Sequence, residues 1–420
     1  MPDHLSSFSF CFLAVLALMV ILRCWLGVRQ ISHIFAHRAT VPEQFADRIQ
    51  LSAHQRAADY NIVRTRFARL SLVVEVAVLL ALTFGGGLQA LHDFWSSYLG
   101  GLWYGVALVF SVVAISGIVD LPLSLYVQFV IEEKFSFNRM TLRLFFIDLI
   151  KQAVLGLLIG TPVLLTVLWL MAQMGDKWWL YVWLFWCAFN LLIMFAYPVW
   201  IAPLFNKFTP LEDATLKERI ETLLLRCGFS SSGLFVMDGS KRSNHGNAYF
   251  TGFGKAKRIV FFDTLLSRLQ PQEIEAVLAH ELGHFKHRHI IKRIVIIFAT
   301  TLFLLFTLGQ LMQTEWFYTG LGVTEENARN TAMALVLFFL IVPLFTFVLT
   351  PLGSMFSRGH EFEADRYAAV HASADDLIRA LVKLYEDNAA TLTPDPLYSL
   401  FYDSHPPAAL RISHLSFSSN

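Results

Sequence analysis

The chain has 420 residues, of which 55% are hydrophobic and only 15% are charged. Since an average soluble domain is about a quarter charged, this composition argues against an ordinary soluble enzyme and indicates a protein partly covered by a membrane. The net charge of +1 offers no basic surface, so we expect no nucleic-acid partner. The four cysteines lack CxxC spacing, so neither a disulfide framework nor a thiolate metal site follows.

Seven apolar runs are long enough to cross a bilayer, which takes about 20 residues of helix. They are residues 8–28, 70–92, 103–130, 142–171, 178–203, 290–313 and 331–356. The first run lacks a basic segment before it and a cleavage site after it, so we interpret it as a retained span and not a signal peptide. Gly and Pro residues within several runs, such as Pro122 and Pro343, predict kinked helices.

The distribution of arginines between loops predicts the orientation. Seven arginines lie in 29–69, whereas 93–102 has no Lys or Arg. Because positively charged loops stay in the cytoplasm, we expect the N-terminus outside, and both the 204–289 segment and the C-terminal tail inside.

Three polar residues lie within the predicted spans: Glu75, Asp120 and Asn190. An ionisable group is costly in a bilayer unless it faces protein or water. Either these side chains pair inside the helix bundle, or they line a water-filled interior.

Short strands are predicted after the fifth span, at 234–237, 247–250 and 258–262, with Gly252 and Gly254 at a hairpin. An exposed edge strand of such a sheet could bind an extended peptide by adding it as a further strand.

Residues 280–284 read His-Glu-Leu-Gly-His. A helix is expected here, because Pro271 suits a first turn and the following apolar residues have helical spacing. On a helix, His280 and His284 project from one face about 6 Å apart. Both can hold one zinc ion while Glu281 reaches a water at that ion. Gly283 inside a helix suggests the close approach of another element.

A third ligand is needed, since a hydrolytic zinc has three protein ligands and one open position. Glu361 and Asp365 lie four residues apart on a second polar helix. One can bind the metal while the other orients a ligating imidazole. Glu363 points about 160° away from them, and we expect His360 to face elsewhere.

Two further histidines follow the motif closely. His287 lies two turns from His280, about 10 Å along the axis, which is too far to share one ion with both motif histidines. On a continuing helix His289 faces the opposite side. We therefore interpret both as a polar junction at the membrane interface.

These elements resemble the type 1 CAAX prenyl protease family of integral membrane metallopeptidases. Beside HELGH at 280–284, the resemblance rests on VPEQF at 41–45, QRAADY at 55–60, FVIEEKFSFN at 129–138, DGSKRSNHGNAYF at 238–250, SRGHEFEAD at 357–365 and SHPP at 404–407. The combination covers nearly the whole chain, and the segments occur in the family's order.

The resemblance implies that His280, His284 and Glu361 are the zinc ligands and that Glu281 is the general base, in agreement with the spacing. It adds Asn247 and His405 as groups beside the scissile peptide, where an amide and an imidazole can donate to an oxyanion. Without the resemblance, Asn247 would be interpreted as a turn residue and His405 as a helix cap. It also implies that the spans enclose a large water-filled chamber.

We therefore expect a mostly α polytopic membrane protein with about seven transmembrane helices and a zincin-like α+β catalytic domain with a small β-sheet. Residues 1–203 form the transmembrane region. Residues 204–420 form the metallopeptidase domain, interrupted by the spans at 290–313 and 331–356.

The expected function is that of a zinc-dependent membrane endopeptidase with one zinc ion per chain. Its substrates are peptides or proteins, including lipidated or membrane-embedded ones, either in quality control or in defined processing. A membrane transporter and a non-catalytic scaffold are the alternatives. The chain ends Ser416–Asn420 without an endoplasmic-reticulum retrieval signal, so we expect a bacterial cytoplasmic membrane with the active site on the cytoplasmic side.

Overall fold

The computed structural model describes residues 6–251, 258–324 and 330–418. The predicted hairpin glycines Gly252 and Gly254 lie outside these ranges. The first half contains helices α1 Ser7–His37, α2 Leu51–Leu82, α3 Gly87–Ser96, α4 Gly101–Tyr126, α5 Glu132–Lys134, α6 Leu142–Gln173, α7 Trp178–Ala196 and α8 Ala202–Phe205. The second half contains α9 Ala214–Arg226, α10 Asp263–Leu266, α11 Pro271–Lys286, α12 His289–Leu311, α13 Glu315–Thr319, α14 Thr331–Thr346, α15 Thr350–His371, α16 Ala374–Asp387, α17 Pro396–Tyr402 and α18 Ala408–Ser418.

The expected fold class, a mostly α membrane protein with several spans, is confirmed. Six helices or continuous helical runs among the described residues are long and apolar enough to cross a membrane: Ser7–His37, Gly101–Lys134, Leu142–Gln173, Gly175–Phe205, His289–Leu311 and Thr331–His371. The predicted span 70–92 differs, because α2 and α3 meet at a 50° bend. Gly86, with φ of 75°, lies at this break in a backbone conformation that glycine adopts without strain.

The arginine-rich segment 29–69 is largely helical and not a loop. Helix α1 continues to His37, and α2 begins at Leu51. The kinks expected from the Pro and Gly residues coincide with irregular turns: π-helical turns follow α4 and α7, and a 3₁₀ turn follows α14.

Helix α14 is the centre of the bundle. Half of its most apolar stretch is buried, compared with 6% to 28% in the other spans. Its sequence is apolar all round, which is typical of a helix surrounded by other helices. Side chains of α1, α2, α4, α6, α7 and α12 share one apolar core with it, and many outward-facing apolar side chains remain for lipid.

The three polar residues of the spans have partners. Arg23 donates to Glu75 at 3.1 Å, Ser124 donates to Asp120 at 2.9 Å, and Asn190 donates to a backbone carbonyl of its own helix at 2.7 Å. Glu75 and Asp120 also line one cavity of about 520 Å³ between α1, α2, α4 and α14. Glu75 and Asp120 are therefore both paired with another side chain and exposed to this cavity, so the two alternatives occur together.

The polar half contains one four-stranded sheet in the order β1-β2-β4-β3. The strands are β1 Phe208–Pro210, β2 Gly233–Met237, β3 Ala248–Thr251 and β4 Arg258–Phe262. Strands β2 and β4 are parallel, and β1 and β3 are antiparallel to their neighbours. All three predicted strands are present, and β1 is additional. Strand β3 lies at one edge of the described sheet.

Helices α11 and α15 pack directly against each other behind this sheet. A Cβ atom at Gly283 would lie 2.9 Å from Ala364 Cα and 3.0 Å from Tyr367 Cβ. The close approach that Gly283 predicts is thus confirmed. It brings together the two helices that carry the candidate metal ligands.

Candidate metal centre

Helix α11 begins as its sequence predicts. Pro271 is in the first turn, and the side chains of Gln270 and Glu273 form a reciprocal capping box, which satisfies two otherwise free backbone N–H groups. Leu278 and Leu282 are buried against the sheet. That orientation turns His280 and His284 towards α15.

The three candidate ligands converge. Nε2 of His280 lies 3.2 Å from Nε2 of His284 and 3.5 Å from Oε2 of Glu361. Nε2 of His284 lies 3.4 Å from Oε1 of Glu361. Ligand atoms bound at 2.0–2.1 Å to a tetrahedral zinc ion are about 3.3–3.4 Å apart. The spacing of these donors therefore fits zinc.

The electrostatics of the trio favour a cation. Burial alone would lower the pKa of His280, but the neighbouring carboxylates of Asp365 and Glu361 outweigh it and raise that pKa to about 9. Burial and the neighbouring charge of His280 lower the pKa of His284 to about 3. Oε2 of Glu361 is buried with no hydrogen-bond partner among the described residues. The free lone pair of His284 and the buried carboxylate oxygen of Glu361 thus lie close together, which suits a metal ion.

A buried ionic network supports His280 from behind. Nδ1 of His280 lies 2.8 Å from Oδ1 of Asp365, which itself accepts two hydrogen bonds from Arg411 at 2.9 and 2.6 Å. Arg411 also lies 3.6 Å from Glu361. Asp365 is therefore positioned to hold the His280 proton on Nδ1 and leave Nε2 free for a metal. The sequence did not reveal Arg411 as a site residue, because its only distinguishing feature there is its position in a largely apolar C-terminal helix.

Glu281 follows His280 on α11 and lies in the same electrostatic environment. Burial raises its pKa, and the charges of His280, Glu361 and Arg411 act on it. A carboxylate whose pKa is raised towards neutrality is suited to accept a proton from water.

The two residues that only the resemblance supplied are placed differently. His405 Nε2 lies 3.5 Å from Oε1 of Glu361, and its side chain is 63% exposed, so it borders the metal centre from an open side. Asn247 precedes β3, where its side-chain oxygen accepts from the N–H of Ala248 at 2.8 Å. Its backbone carbonyl accepts from Phe262. These contacts are those of a residue that begins a strand.

The expectation that His289 faces the side opposite His280 is wrong. Helix α11 ends at Lys286, and Arg288 has a left-handed φ of 57° before α12 begins at His289. The helix therefore does not continue past Lys286, and His289 does not take the position that a continuous helix would give it. Nδ1 of His289 lies 3.0 Å from Nδ1 of His284. The ring of His360 stacks on His289 with centroids 3.8 Å apart.

Two family models match the chain. One, described as CAAX prenyl protease N-terminal with five membrane helices, matches residues 30–207. The other, Peptidase family M48, matches residues 210–418.

Curated relatives and a solved structure are also similar. CAAX prenyl protease 1 of Saccharomyces cerevisiae is 42% identical over 72% of this chain and 70% of its own length. The Homo sapiens homologue is 34% identical, covering 91% of this chain and 90% of the relative. The crystal structure of S. mikatae Ste24p aligns with a TM-score of 0.92 at 31% identity, over 98% of this chain and 99% of that one. Since these relatives are eukaryotic, they do not support the expected bacterial membrane.

Proposed function

We propose which residues perform the hydrolysis, since the chain belongs to the CAAX prenyl protease family of M48 peptidases. It is therefore a multi-pass membrane metalloendopeptidase that acts on peptides or proteins. His280, His284 and Glu361 hold one zinc ion, Glu281 is the general base, and Asn247 and His405 act on the substrate carbonyl.

The observation that carries this proposal is the convergence of two imidazole nitrogens and one carboxylate: Nε2 of His280 and Nε2 of His284 are 3.2 Å apart, and each lies 3.5 or 3.4 Å from an oxygen of Glu361. Among the described residues, these three side chains form the group of His, Cys, Asp and Glu that could hold a metal ion. A transporter or a scaffold needs no such centre. Neither alternative is favoured by the family of the chain.

A bound zinc ion supplies Lewis-acid chemistry, because it polarises the scissile carbonyl and lowers the pKa of a coordinated water. Glu281 accepts the proton of the attacking water and delivers it to the leaving amine. His405, on the open side of Glu361, donates to the developing oxyanion, and Asn247 donates through its amide. Arg411 and Asp365 keep the His280 ring in the ligating orientation.

The names of the relatives and the membrane region of the chain support one substrate class. The relatives are named CAAX prenyl proteases, and the spans of this chain border an open, largely apolar cavity. We propose that lipidated or membrane-embedded peptides are among its substrates. We also propose that residues 1–203 form the membrane region and residues 204–420 the peptidase domain.

The proposed zinc site faces the cytoplasm, as the arginine distribution indicates. Labelling in intact cells tests this orientation. In a cysteine-free background, a Ser231→Cys variant should not react with a membrane-impermeant thiol reagent until the cells are opened. Reaction from outside would contradict the orientation.

Metal analysis combined with peptidase assays tests the site. Purified protein should contain one zinc ion per chain, and His284→Ala or Glu361→Ala should lose it. Glu281→Gln should retain zinc but lose turnover, since an amide cannot accept the proton. Stoichiometric zinc in the ligand variants, or turnover by Glu281→Gln, would contradict the assignment.

A further inference from the structure

The second metal-binding histidine has its own supporting chain of side chains, distinct from the network behind His280. Nδ1 of His284 lies 3.0 Å from Nδ1 of His289. Nε2 of His289 lies 2.8 Å from Oε2 of Glu363. His289 is buried, with 4% of its side chain exposed. We propose that His289 and Glu363 are positioning residues, which hold the His284 ring and its proton in the state that binds the metal.

The positions of the protons follow from the order of the contacts. If Nε2 of His284 binds the metal with its lone pair, the proton of the neutral ring must be on Nδ1. That proton is donated to Nδ1 of His289, which must therefore carry a lone pair. The His289 proton is then on Nε2, where it is donated to the carboxylate of Glu363. A single assignment of protons satisfies both contacts and leaves the metal-binding atom free.

The geometry around His289 restrains its ring. His360 on α15 stacks on it nearly parallel, at 9° and 3.8 Å between centroids. The left-handed Arg288 places His289 in the first turn of α12, beside the end of α11. Glu363 comes from α15, which also carries the ligand Glu361. The relay of His284, His289 and Glu363 thus connects α11, α12 and α15 at the membrane end of the site.

This relay is more open than the network behind His280. Glu363 is 36% exposed and also contacts Lys292 at 3.9 Å and His287 at 4.0 Å, whereas Asp365 is fully buried. Partners that orient a ligating histidine typically contribute about 10- to 100-fold to metal affinity. Because Lys292 and water share Glu363, we expect the lower end of that range here.

The proposal rests on the proposed zinc function, and zinc affinity tests it without any assay of turnover. His289→Leu removes the acceptor from His284 and should weaken zinc binding about 10-fold in a chelator competition. His289→Asn retains a side-chain oxygen that can accept from Nδ1 of His284, and it should recover most of the loss. Glu363→Gln keeps the shape without the charge and should have a smaller effect than His289→Leu.

A spectroscopic measurement separates positioning from general damage. With Co²⁺ in place of zinc, the visible absorption of the metal should change in His289→Leu and return towards the wild-type spectrum in His289→Asn. The matched control is His37→Leu, which removes an exposed imidazole at the end of α1, away from the relay, and should bind zinc within about twofold of wild type.

Three outcomes would overturn the relay: wild-type zinc affinity and cobalt spectrum in His289→Leu, no recovery in His289→Asn, or an equal loss in His37→Leu. If His289→Leu fails to fold, the comparison of His289→Asn with Glu363→Gln still tests the relay. The relay requires measurably weaker zinc binding when the charge of the Glu363 carboxylate is lost. Failure of the zinc site itself is distinguishable. In that case the wild-type protein would lack zinc that depends on His284.

Discussion

The membrane bundle and the catalytic half satisfy their polar side chains in opposite ways. In the bundle, Asp120 and Asn190 find partners one turn away on their own helices. In the catalytic half, Asp365 is paired with Arg411, 46 residues later, and His280 is held by Asp365, 85 residues from it (365 − 280). Asp120 and Asn190 therefore need only their own helices, and Glu75 reaches Arg23 on the neighbouring α1, whereas the site exists only after distant segments have assembled.

This difference has an energetic consequence. Removal of a local partner in the bundle leaves a side chain that can still reach a cavity or its own backbone. Removal of a long-range partner in the catalytic half leaves an uncompensated buried charge, which is strongly destabilising. The following substitutions test that contrast, beginning with the one that should destabilise the protein most.

Arg411→Met should have the largest effect on stability. It leaves Asp365 buried beside Glu361 without its cation, and breaking a buried ion pair costs about 3–5 kcal/mol. The measurement is the free energy of unfolding in detergent micelles. A loss below about 1 kcal/mol would mean that this network contributes no more than a surface pair, and the contrast between the two regions would fail.

His405→Ala and Asn247→Ala should affect turnover and leave the fold intact. Loss of one oxyanion donor lowers kcat about 10²- to 10³-fold. His405 is 63% exposed, so its removal should change stability little, and neither variant should lose zinc. If Asn247→Ala instead unfolds more easily with normal kcat, its role is that of a residue that starts a strand.

Gly283→Ala tests the close packing of α11 on α15. The added Cβ would lie 2.9 Å from the backbone of Ala364, and overpacking costs about 1–3 kcal/mol, reduced by about 1 kcal/mol of gained helix propensity. Gly117→Ala in α4 is the matched control, since a Cβ there meets no atom of the described residues within 4 Å. Equal stability of the two variants would show that the contact can relax freely.

A pH dependence is expected where the two regions meet. Burial opposes the charge of Asp395, but Arg29 and the N–H of Tyr398 lower its pKa. A group with a lowered pKa stabilises the fold above its unfolded pKa, about 3.9 for Asp, and that stability is lost as the pH falls through the lowered value. Asp395→Asn should therefore be about 1 kcal/mol less stable than wild type at pH 7.

The difference between wild type and Asp395→Asn should shrink as the pH falls below about 3.9, the unfolded pKa of Asp, and it should disappear once the pH is below the lowered pKa of Asp395. Unfolding of both proteins in detergent over this range provides the measurement. A difference that stays constant with pH would assign the effect to the helix cap that Asp395 forms on α17, and not to its charge.

Arg23→Met should have the smallest effect. It leaves Glu75 unpaired, but Glu75 is 59% exposed to a cavity, and an exposed ion pair contributes about 0–1 kcal/mol. The same unfolding assay used for Arg411→Met applies. A loss of several kcal/mol would indicate that the cavity excludes water. Removal of a partner in the bundle would then destabilise the protein as much as removal of a partner in the catalytic half.

Much of the architecture was predictable because it depends on local patterns. Runs of apolar residues predict the spans, since helix length and hydrocarbon thickness must match. The pairs His280 with His284 and Glu361 with Asp365 each lie four residues apart, so the helical period alone puts each pair on one face. Gly283 predicted the close contact, because its missing side chain has no other use in a helix interior.

Other features depended on single backbone angles or on contacts between distant segments. The expectation for His289 failed because it extended α11 past Arg288, the left-handed residue that separates α11 from α12. Likewise, the bend between α2 and α3 arises where glycines interrupt an apolar run. A hydropathy pattern records how apolar a segment is, but it does not record where that segment turns.

Local periodicity was enough to predict the membrane spans, the two helices that carry the proposed ligands and the chemistry of the donors, because each depends on residues only a few positions apart. The partners behind the donors follow instead from the packing of the folded chain. Arg411 reaches Asp365 and His289 reaches His284 through packing between separate helices. The choice among many polar side chains at such distances is made by the whole fold, since each contact becomes favourable only after the others have excluded water.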